Sequence, residues 1–193
     1  MLKTKEDILN AIQQDPEMMT ILRTVKRLDL PDSWVCAGFV RLKIWDVQHG
    51  FSSRSVPSDV DVIYFDLEDV RESTEKIFEA QLRKWVPGVP WSVKNQARMH
   101  EVNGLEPFIS SVDGMAHFPE TVTALGVRLT DDEQLELAAP WGIADVLALV
   151  VRPTDYYTVS HELRTVYTDR IAKKNWPSRW PKVKVLSINE VIG

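Results

Sequence analysis

Residues 58–66 read S-D-V-D-V-I-Y-F-D, in which polar and hydrophobic residues alternate from Asp59 to Val62 and the apolar run of residues 63–65 follows. A period of two is typical of a β-strand, and it places the side chains of Asp59 and Asp61 on the same face. Two adjacent carboxylates repel each other and raise each other's pKa, so such a pair usually has a divalent cation or a basic partner. For an isolated pair, the alternative is a polar strand end that faces water, and the flanking sequence decides between the two.

The same kind of pattern predicts the elements around this strand. Apolar residues at helical spacing predict helices over residues 39–48, 73–85, 97–100, 112–117, 119–124 and 143–149, and a long helix within 153–175. Runs of β-branched and aromatic residues predict strands over residues 34–37, 91–95, 126–129, 135–137 and 183–188. We therefore predict an α+β protein with a single domain over residues 1–193, made of a helical pair (1–30), a core (34–152) and a C-terminal helix and strand (153–193).

The composition excludes several classes of protein. A net charge of -5 argues against a protein that coats nucleic acid. Cys36 is the only cysteine, which excludes an internal disulfide and fits a reducing compartment. The N-terminus is charged, without the apolar core of a signal peptide, and no apolar run is long enough to cross a bilayer. We therefore expect a cytoplasmic location and no membrane partner.

Gly38 separates the strand predicted over residues 34–37 from the helix that follows it. A strand, a glycine turn and a helix N-terminus together suit an anion, because free N–H groups and the helix dipole both point at it. Other catalytic motifs are missing from the sequence. His161 and Glu162 lack the second histidine of a zinc-protease helix, and no serine lies in a G-x-S-x-G turn.

Residues 34–66 resemble the nucleotidyltransferase superfamily, and most closely the head domain of poly(A) polymerases and CCA-adding enzymes. The residues that carry the resemblance are W-V-C-A-G-F-V-R, followed by S-D-V-D-V-I-Y-F-D. The likeness extends through P-W-G-I-A-D-V to Val151 and Arg152. Over nearly its whole length the chain also resembles small bacterial nucleotidyltransferase-like proteins, in W-S-V-K-N-Q-A-R-M-H and F-P-E-T. The resemblance implies a mixed β-sheet flanked by helices.

The resemblance also implies a site. Asp59 and Asp61 would be the catalytic pair and would hold two Mg²⁺ ions that bridge the phosphates of a nucleoside triphosphate. The remaining residues that the resemblance assigns to nucleotide binding are Gly38, Phe39, Arg41, Ser58 and Lys94. The amides near Gly38 would cradle the β- and γ-phosphates, and Arg41 would neutralise them. A simple ion pair of Arg41 with Asp46 or Asp145 is the alternative.

The sequence departs from the polymerase heads at several positions. Ala37 replaces the first of two glycines, Leu42 replaces an acid, and residues 117–119 replace paired arginines. The third carboxylate of the superfamily belongs on the strand over residues 91–95, where Ser92 or Lys94 takes its place. Lys94 would then be an internal counter-ion of the aspartate pair, a phosphate ligand, or a surface residue on an edge strand.

Two functional hypotheses follow from these observations. The first is a Mg²⁺-dependent nucleotidyltransferase whose acceptor is unknown; a small molecule or a protein hydroxyl is favoured over tRNA, because no tRNA-binding neck or body follows. The second is a nucleotide- or partner-binding module that has kept the fold and lost transfer. The basic residues and tryptophans of the C-terminal segment have two interpretations. Either they contact a nucleic acid by charge and stacking, or the tryptophans pack the segment onto the sheet and the basic residues face solvent. These residues are Arg170, Lys173, Lys174, Trp176, Arg179, Trp180 and Lys182.

Overall fold

The computed structural model describes residues 1–192, and a five-stranded mixed sheet forms its framework. The strands of the sheet are β1 (Trp34–Cys36), β2 (Val60–Tyr64), β3 (Trp91–Asn95), β4 (Gly126–Leu129) and β5 (Leu135–Ala138). Their spatial order is β3-β2-β1-β4-β5. β2 and β3 run parallel, whereas β1 pairs antiparallel with β2 and β4, and β4 pairs antiparallel with β5. The predicted α+β class with a mixed sheet is confirmed.

Helices surround this sheet. They are α1 (Lys5–Gln13), α2 (Pro16–Lys26), α3 (Gly38–His49), α4 (Glu72–Trp85), α5 (Gln96–Asn103), α6 (Ser111–Ala116), α7 (Ala144–Ala148), α8 (His161–Lys174) and α9 (Ile188–Ile192). Two 3₁₀ turns lie at Asp155–Thr158 and Trp176–Ser178, and β6 (Val150–Val151) pairs in parallel with β7 (Lys184–Val185). The helical pair predicted within residues 1–30 is α1 and α2, which begin with a capping box at Thr4 and Asp7 and with Asp15 before a proline.

The two faces of the sheet are packed differently. On one face the valines at 35, 62, 93 and 127 lie in register across four strands and join the main core with α1, α2 and α3. The other face carries a smaller cluster that contains Trp34, Cys36, Ile63, Met115 and Ala124. Asp61 lies opposite Cys36 in the register of β1 and β2, so the alternation places it on this second face. The sparser packing there leaves room for cavities around the carboxylate.

Helix α4 protects the free edge of the sheet. β3 is an edge strand, and an edge strand exposes unpaired N–H groups to other chains. The Glu79 carboxylate accepts a hydrogen bond from the Val93 amide at 3.2 Å, and the Glu75 carboxylate accepts one from the Asn95 amide at 2.9 Å. The two glutamates are one helical turn apart, which matches the spacing of alternate residues along a strand. The polar face of α4 thus replaces a neighbouring strand.

The helix predicted over residues 119–124 is wrong. This segment is a turn in which Glu120 forms an isolated bridge with Pro153. Glu120 is fully buried, and its carboxylate accepts hydrogen bonds from the Thr123 hydroxyl at 2.8 Å and from Arg170 at 2.6 Å. The tertiary contacts of this carboxylate fix the turn and override the local helical pattern.

The long helix predicted within residues 153–175 is confirmed: it begins at His161, after a 3₁₀ turn, and Ser160 caps it. The predicted bounds of the last strand are wrong. The strand predicted over residues 183–188 is limited to Lys184–Val185, because Ser187 and Glu190 exchange hydrogen bonds that begin α9. Among residues 1–192 no helix is long and apolar enough to cross a bilayer.

Candidate functional site

The aspartate pair lies where β2 begins. Asp61 is the second residue of β2 and half-buried, whereas Asp59 precedes the strand and is exposed. Burial and the negative charge of Asp59 raise the pKa of Asp61 from 3.8 to about 6. A hydrogen bond from Ser92 and the charges of Lys174 and Arg170 act in the opposite direction. Since Ser92 lies opposite Asp61 in the register of β2 and β3, a hydroxyl faces Asp61 where the superfamily is expected to place its third acid.

Asp61 is expected to destabilise the metal-free protein above pH 6. A carboxylate whose pKa is higher in the folded than in the unfolded state costs no stability below pH 3.8, an increasing amount up to about pH 6, and its full amount above that. The shift corresponds to about 3 kcal/mol at most. Asp61→Asn should therefore raise the free energy of unfolding at pH 8 and leave it unchanged near pH 3.5.

Urea denaturation in EDTA at both pH values measures this difference. Asp132→Asn is the matched control, because Asp132 is exposed on the turn between β4 and β5. An Asp61→Asn protein that is less stable than the wild type at pH 8 would contradict the electrostatic account of the pair.

The turn into α3 keeps a backbone suited to glycine. Ala37 precedes the helix with φ 55° and ψ -118°, a conformation that L-residues other than glycine rarely adopt. No side chain in the described chain caps this helix, so its first N–H groups are left for a ligand. A Cβ added at Gly38 would contact only the Arg41 guanidinium, at 3.8 Å. The strand-to-helix turn that the sequence predicts at Gly38 is therefore formed, with strain at Ala37 in place of the first glycine.

Ala37→Gly is expected to stabilise the protein by about 1 kcal/mol, because glycine adopts this backbone conformation without the steric cost of a Cβ. Thermal or urea unfolding measures the change. Ala80→Gly is the matched control: it lies exposed inside α4, where the same substitution should destabilise by about 1 kcal/mol. Equal losses of stability at both positions would contradict the strain at Ala37.

Arg41 is a buried cation without an ion pair in the described chain. Its guanidinium lies over the rings of Trp45 (5.1 Å) and Trp176 (4.9 Å), and its Nε has no hydrogen-bond partner there. Burial lowers the pKa of Arg41 to about 10. The alternative expected from the sequence, an ion pair of Arg41 with Asp46 or Asp145, is wrong. Asp46 accepts hydrogen bonds from Ser55 and Trp180, and Asp145 pairs with Arg152 and Thr121.

A cavity of about 500 Å³ connects these features. It is lined by Gly38, Arg41, Ser58, Asp59 and Asp61 from the segments that the sequence singled out, and by Arg170, Lys174, Trp176 and Arg179 from the C-terminal segment. The cavity thus combines a helix N-terminus, two carboxylates and several cations. Such a lining suits a polyanion with a divalent cation.

The C-terminal side of this cavity is what the sequence analysis missed. Trp176 and Trp180 are buried edge-on against Trp45, with ring centroids 5.8 Å and 5.4 Å away, so the packing interpretation of the tryptophans is correct. Their packing brings Arg170, Lys174 and Arg179 to the aspartate pair instead of leaving them on a distant solvated side. The signal in the sequence was the alternation of tryptophan with basic residues.

The remaining predicted residues lie in different surroundings. The Phe39 side chain belongs to the main core, so only its amide is available to a ligand. Ser58 is exposed and donates a hydrogen bond to Asp59 at 3.1 Å. Lys94 contacts Glu75 at 3.2 Å and Glu72 at 3.8 Å. Lys94 therefore pairs with α4, and its role as a counter-ion of the aspartate pair has no support in the geometry.

The sequence profile of a family described as nucleotidyltransferase matches residues 23–185. The chain belongs to the nucleotidyltransferase family. Among solved structures, this nucleotidyltransferase is similar to a protein whose NMR structure reveals a CCA-adding enzyme head domain, with 36% identity and a TM-score of 0.87 over 97% of this chain and 98% of the other. The family and the fold predicted from the sequence are confirmed.

Two CCA-adding enzymes share the fold of this chain. A CCA-adding enzyme in complex with CTP is 13% identical, with a TM-score of 0.60 over 98% of this chain and 44% of the other. The Thermotoga maritima CCA-adding enzyme in complex with tRNA is 15% identical, with a TM-score of 0.60 over 95% of this chain and 43% of the other. The nucleotidyltransferase thus spans less than half the length of these enzymes. No curated protein sequence matches it.

Proposed function

We propose that this nucleotidyltransferase binds a nucleoside triphosphate with Mg²⁺ in the 500 Å³ cavity and transfers the nucleotidyl group to an acceptor hydroxyl. One observation carries the proposal: the buried, unpaired guanidinium of Arg41 shares a cavity with two carboxylates and an uncapped helix N-terminus. A buried cation without a partner costs stability, so its presence beside an anion-binding turn is best explained by an anionic ligand.

In this proposal, different residues bind different parts of the triphosphate. The N–H groups at Gly38 and Phe39 and the guanidinium of Arg41 would bind the terminal phosphates, with Ser58 and Lys174 at the rim of the cavity. Asp59 and Asp61 would hold Mg²⁺, which binds proteins through one or two carboxylates and completes its shell with phosphate oxygens and water. When bound, Mg²⁺ would neutralise charge on the phosphates and lower the pKa of the attacking hydroxyl.

Transfer then needs one substitution at phosphorus. The acceptor oxygen forms a bond to the α-phosphorus, the bond to the pyrophosphate oxygen breaks, and pyrophosphate leaves. The hydroxyl of Ser92, and not a carboxylate, faces Asp61 from β3. We therefore propose that water in the open cavity accepts the proton that the acceptor hydroxyl loses.

The serine at position 92 also supports the alternative function, a nucleotide-binding module that does not transfer. With Ser92 where the superfamily is expected to have its third acid, the chain could bind the nucleotide and not transfer it. Among proteins of this fold, the Thermotoga maritima CCA-adding enzyme is complexed with tRNA. We propose that the acceptor here is a small molecule or a protein hydroxyl.

Isothermal titration with ATP, CTP, GTP and UTP, with and without Mg²⁺, tests the proposal. We expect Mg²⁺-dependent binding of at least one triphosphate, and its loss in Gly38→Val, whose unfolding curve should stay close to that of the wild type because the space at Gly38 is open. Failure of all four triphosphates to bind would overturn the proposal. Mg²⁺-dependent binding without pyrophosphate release in the presence of acceptors would favour the binding module.

A further inference from the structure

A second cavity, of about 220 Å³, lies on the other side of Asp61. It is formed by α5, α6 and the segment that follows, and its lining includes Lys94, Gln96, Met99, Phe108, His117 and Phe118. The two cavities share Ala37, Asp61, Thr123 and Arg170. Asp61 therefore stands between a large cationic cavity and a smaller one of mixed polarity.

Gln96 gives the smaller cavity a buried polar group. Its side chain is only 3% exposed and lines the cavity. Gly114 of α6 leaves room for this side chain, because an added Cβ there would collide with the Gln96 Oε1 and approach its Cβ to 3.1 Å. The amide offers a ligand both a donor and an acceptor.

Aromatic rings form a wall of the cavity. Phe108 and His117 are stacked, with ring centroids 4.9 Å apart and an angle of 29° between the planes. The Nδ1 of His117 lies 2.9 Å from the Asp113 carbonyl oxygen, so it carries the proton and leaves Nε2 as an acceptor. The apolar faces and the few hydrogen-bonding atoms suit a ring with hydroxyl groups.

The charges around the cavity are largely compensated. Lys94 pairs with Glu75 at 3.2 Å, and Arg170 pairs with Glu120 at 2.6 Å. Only Asp61 remains, and the proposed function assigns it to the metal. The ligand that fits this lining is therefore uncharged, and the volume is below the ~300–1,000 Å³ of sites for drug-sized molecules.

We infer that this second cavity binds the acceptor, and that the acceptor is an uncharged, hydroxyl-bearing ring the size of a monosaccharide. The inference rests on the proposed function: attack at phosphorus runs in line with the leaving group, so with pyrophosphate in the first cavity the hydroxyl enters from the opposite side of Asp61. Such a ring has two sources, a free sugar or cyclic polyol and the ribose of a nucleoside.

Nuclear magnetic resonance of the ¹⁵N-labelled full chain tests the assignment, with D-ribose, D-glucose, myo-inositol, adenosine and cytidine as probes. At least one probe should shift the Gln96 side-chain amide and the Gly114 backbone amide of the wild type. Gln96→Leu keeps the volume and should weaken that binding about tenfold, because the ligand's polar group loses its partner. Gln13→Leu, the same change at the exposed end of α1, should leave it unchanged.

The outcomes separate the sources and the two proposals. Shifts with the sugars and the polyol only identify a free ring, and shifts with the nucleosides only identify ribose; either supports the inference. The inference is overturned if no probe at 50 mM shifts these amides, or if Gln96→Leu binds as tightly as the wild type. Mg²⁺–triphosphate binding is followed in the same samples at the Gly38 amide. If the probes shift Gln96 but no Mg²⁺–triphosphate binds, the proposed function is rejected and the cavity remains a ring-binding site.

Discussion

Asp59→Asn and Asp61→Asn should each reduce Mg²⁺-dependent nucleotidyl transfer at least about a thousandfold, equivalent to about 4 kcal/mol of lost transition-state stabilisation. In the proposed function the two carboxylates would be the protein's ligands for the metal, and within residues 1–192 no group of three or more His, Cys, Asp or Glu side chains could hold one. Loss of one carboxylate therefore leaves Mg²⁺ with half of its protein ligands. Pyrophosphate release from an α-labelled triphosphate measures the effect.

Stability measurements provide the control for this experiment, because Asp61→Asn should lower activity and raise stability. Asp61→Asn should be inactive and yet more stable than the wild type at pH 8, so unfolding cannot explain its loss of activity. Asp132→Asn should keep full activity, because Asp132 lies on an exposed turn. Retention of more than a tenth of the wild-type rate in both Asp59→Asn and Asp61→Asn would contradict the role of the pair.

Arg41→Met should weaken triphosphate binding about a hundredfold without destabilising the fold. A buried guanidinium that binds phosphate contributes strongly to affinity, and truncation of one partner of such a pair costs 2 to 5 kcal/mol or more, roughly thirtyfold upwards. Methionine retains much of the apolar stem of Arg41 and removes a buried charge that has no ion pair in the described chain, so the free energy of unfolding should stay equal or rise.

Calorimetry and urea denaturation measure the two effects of Arg41→Met. Arg23→Met is the matched control, because Arg23 is exposed on α2 and forms only a 3.6 Å ion pair with Glu133. Arg41→Lys should fall between wild type and Arg41→Met, since lysine keeps the charge and loses the planar fork. Unchanged triphosphate affinity together with a clear loss of stability would identify Arg41 as a structural residue.

The elements that carry the aspartate pair could be predicted from the sequence, because their signals are local. Alternation at residues 58–66 gave β2, and Gly38 marked the turn between β1 and α3. Helix α1 followed from its capping box. The segment over residues 119–124 could not be predicted in this way, because the contact of Glu120 with Arg170 joins residues 50 positions apart.

The residues that line the site were harder to predict from the sequence than the elements that carry the aspartate pair. Arg170 and Lys174 reach the cavity because Trp176 and Trp180 pack on α3, and the alternation of tryptophan with basic residues did not show where these tryptophans pack. Lys94 was placed on the correct strand, but its partner Glu75 comes from the helix that covers the sheet edge. Gln96 lies in the stretch W-S-V-K-N-Q-A-R-M-H that carries the resemblance, but its close contact with Gly114 of α6 could not be predicted from that stretch.

A crystal structure with Mn²⁺ and a non-hydrolysable triphosphate, with the metal located by anomalous scattering, tests the central claim most directly. The account predicts a Mn²⁺ peak coordinated by Asp59 and Asp61 and by phosphate oxygens, with the terminal phosphates against the Gly38 amide and the Arg41 guanidinium. It also predicts that the α-phosphate faces the smaller cavity at Gln96. A triphosphate bound elsewhere, or Mn²⁺ bound without the two aspartates, would contradict it.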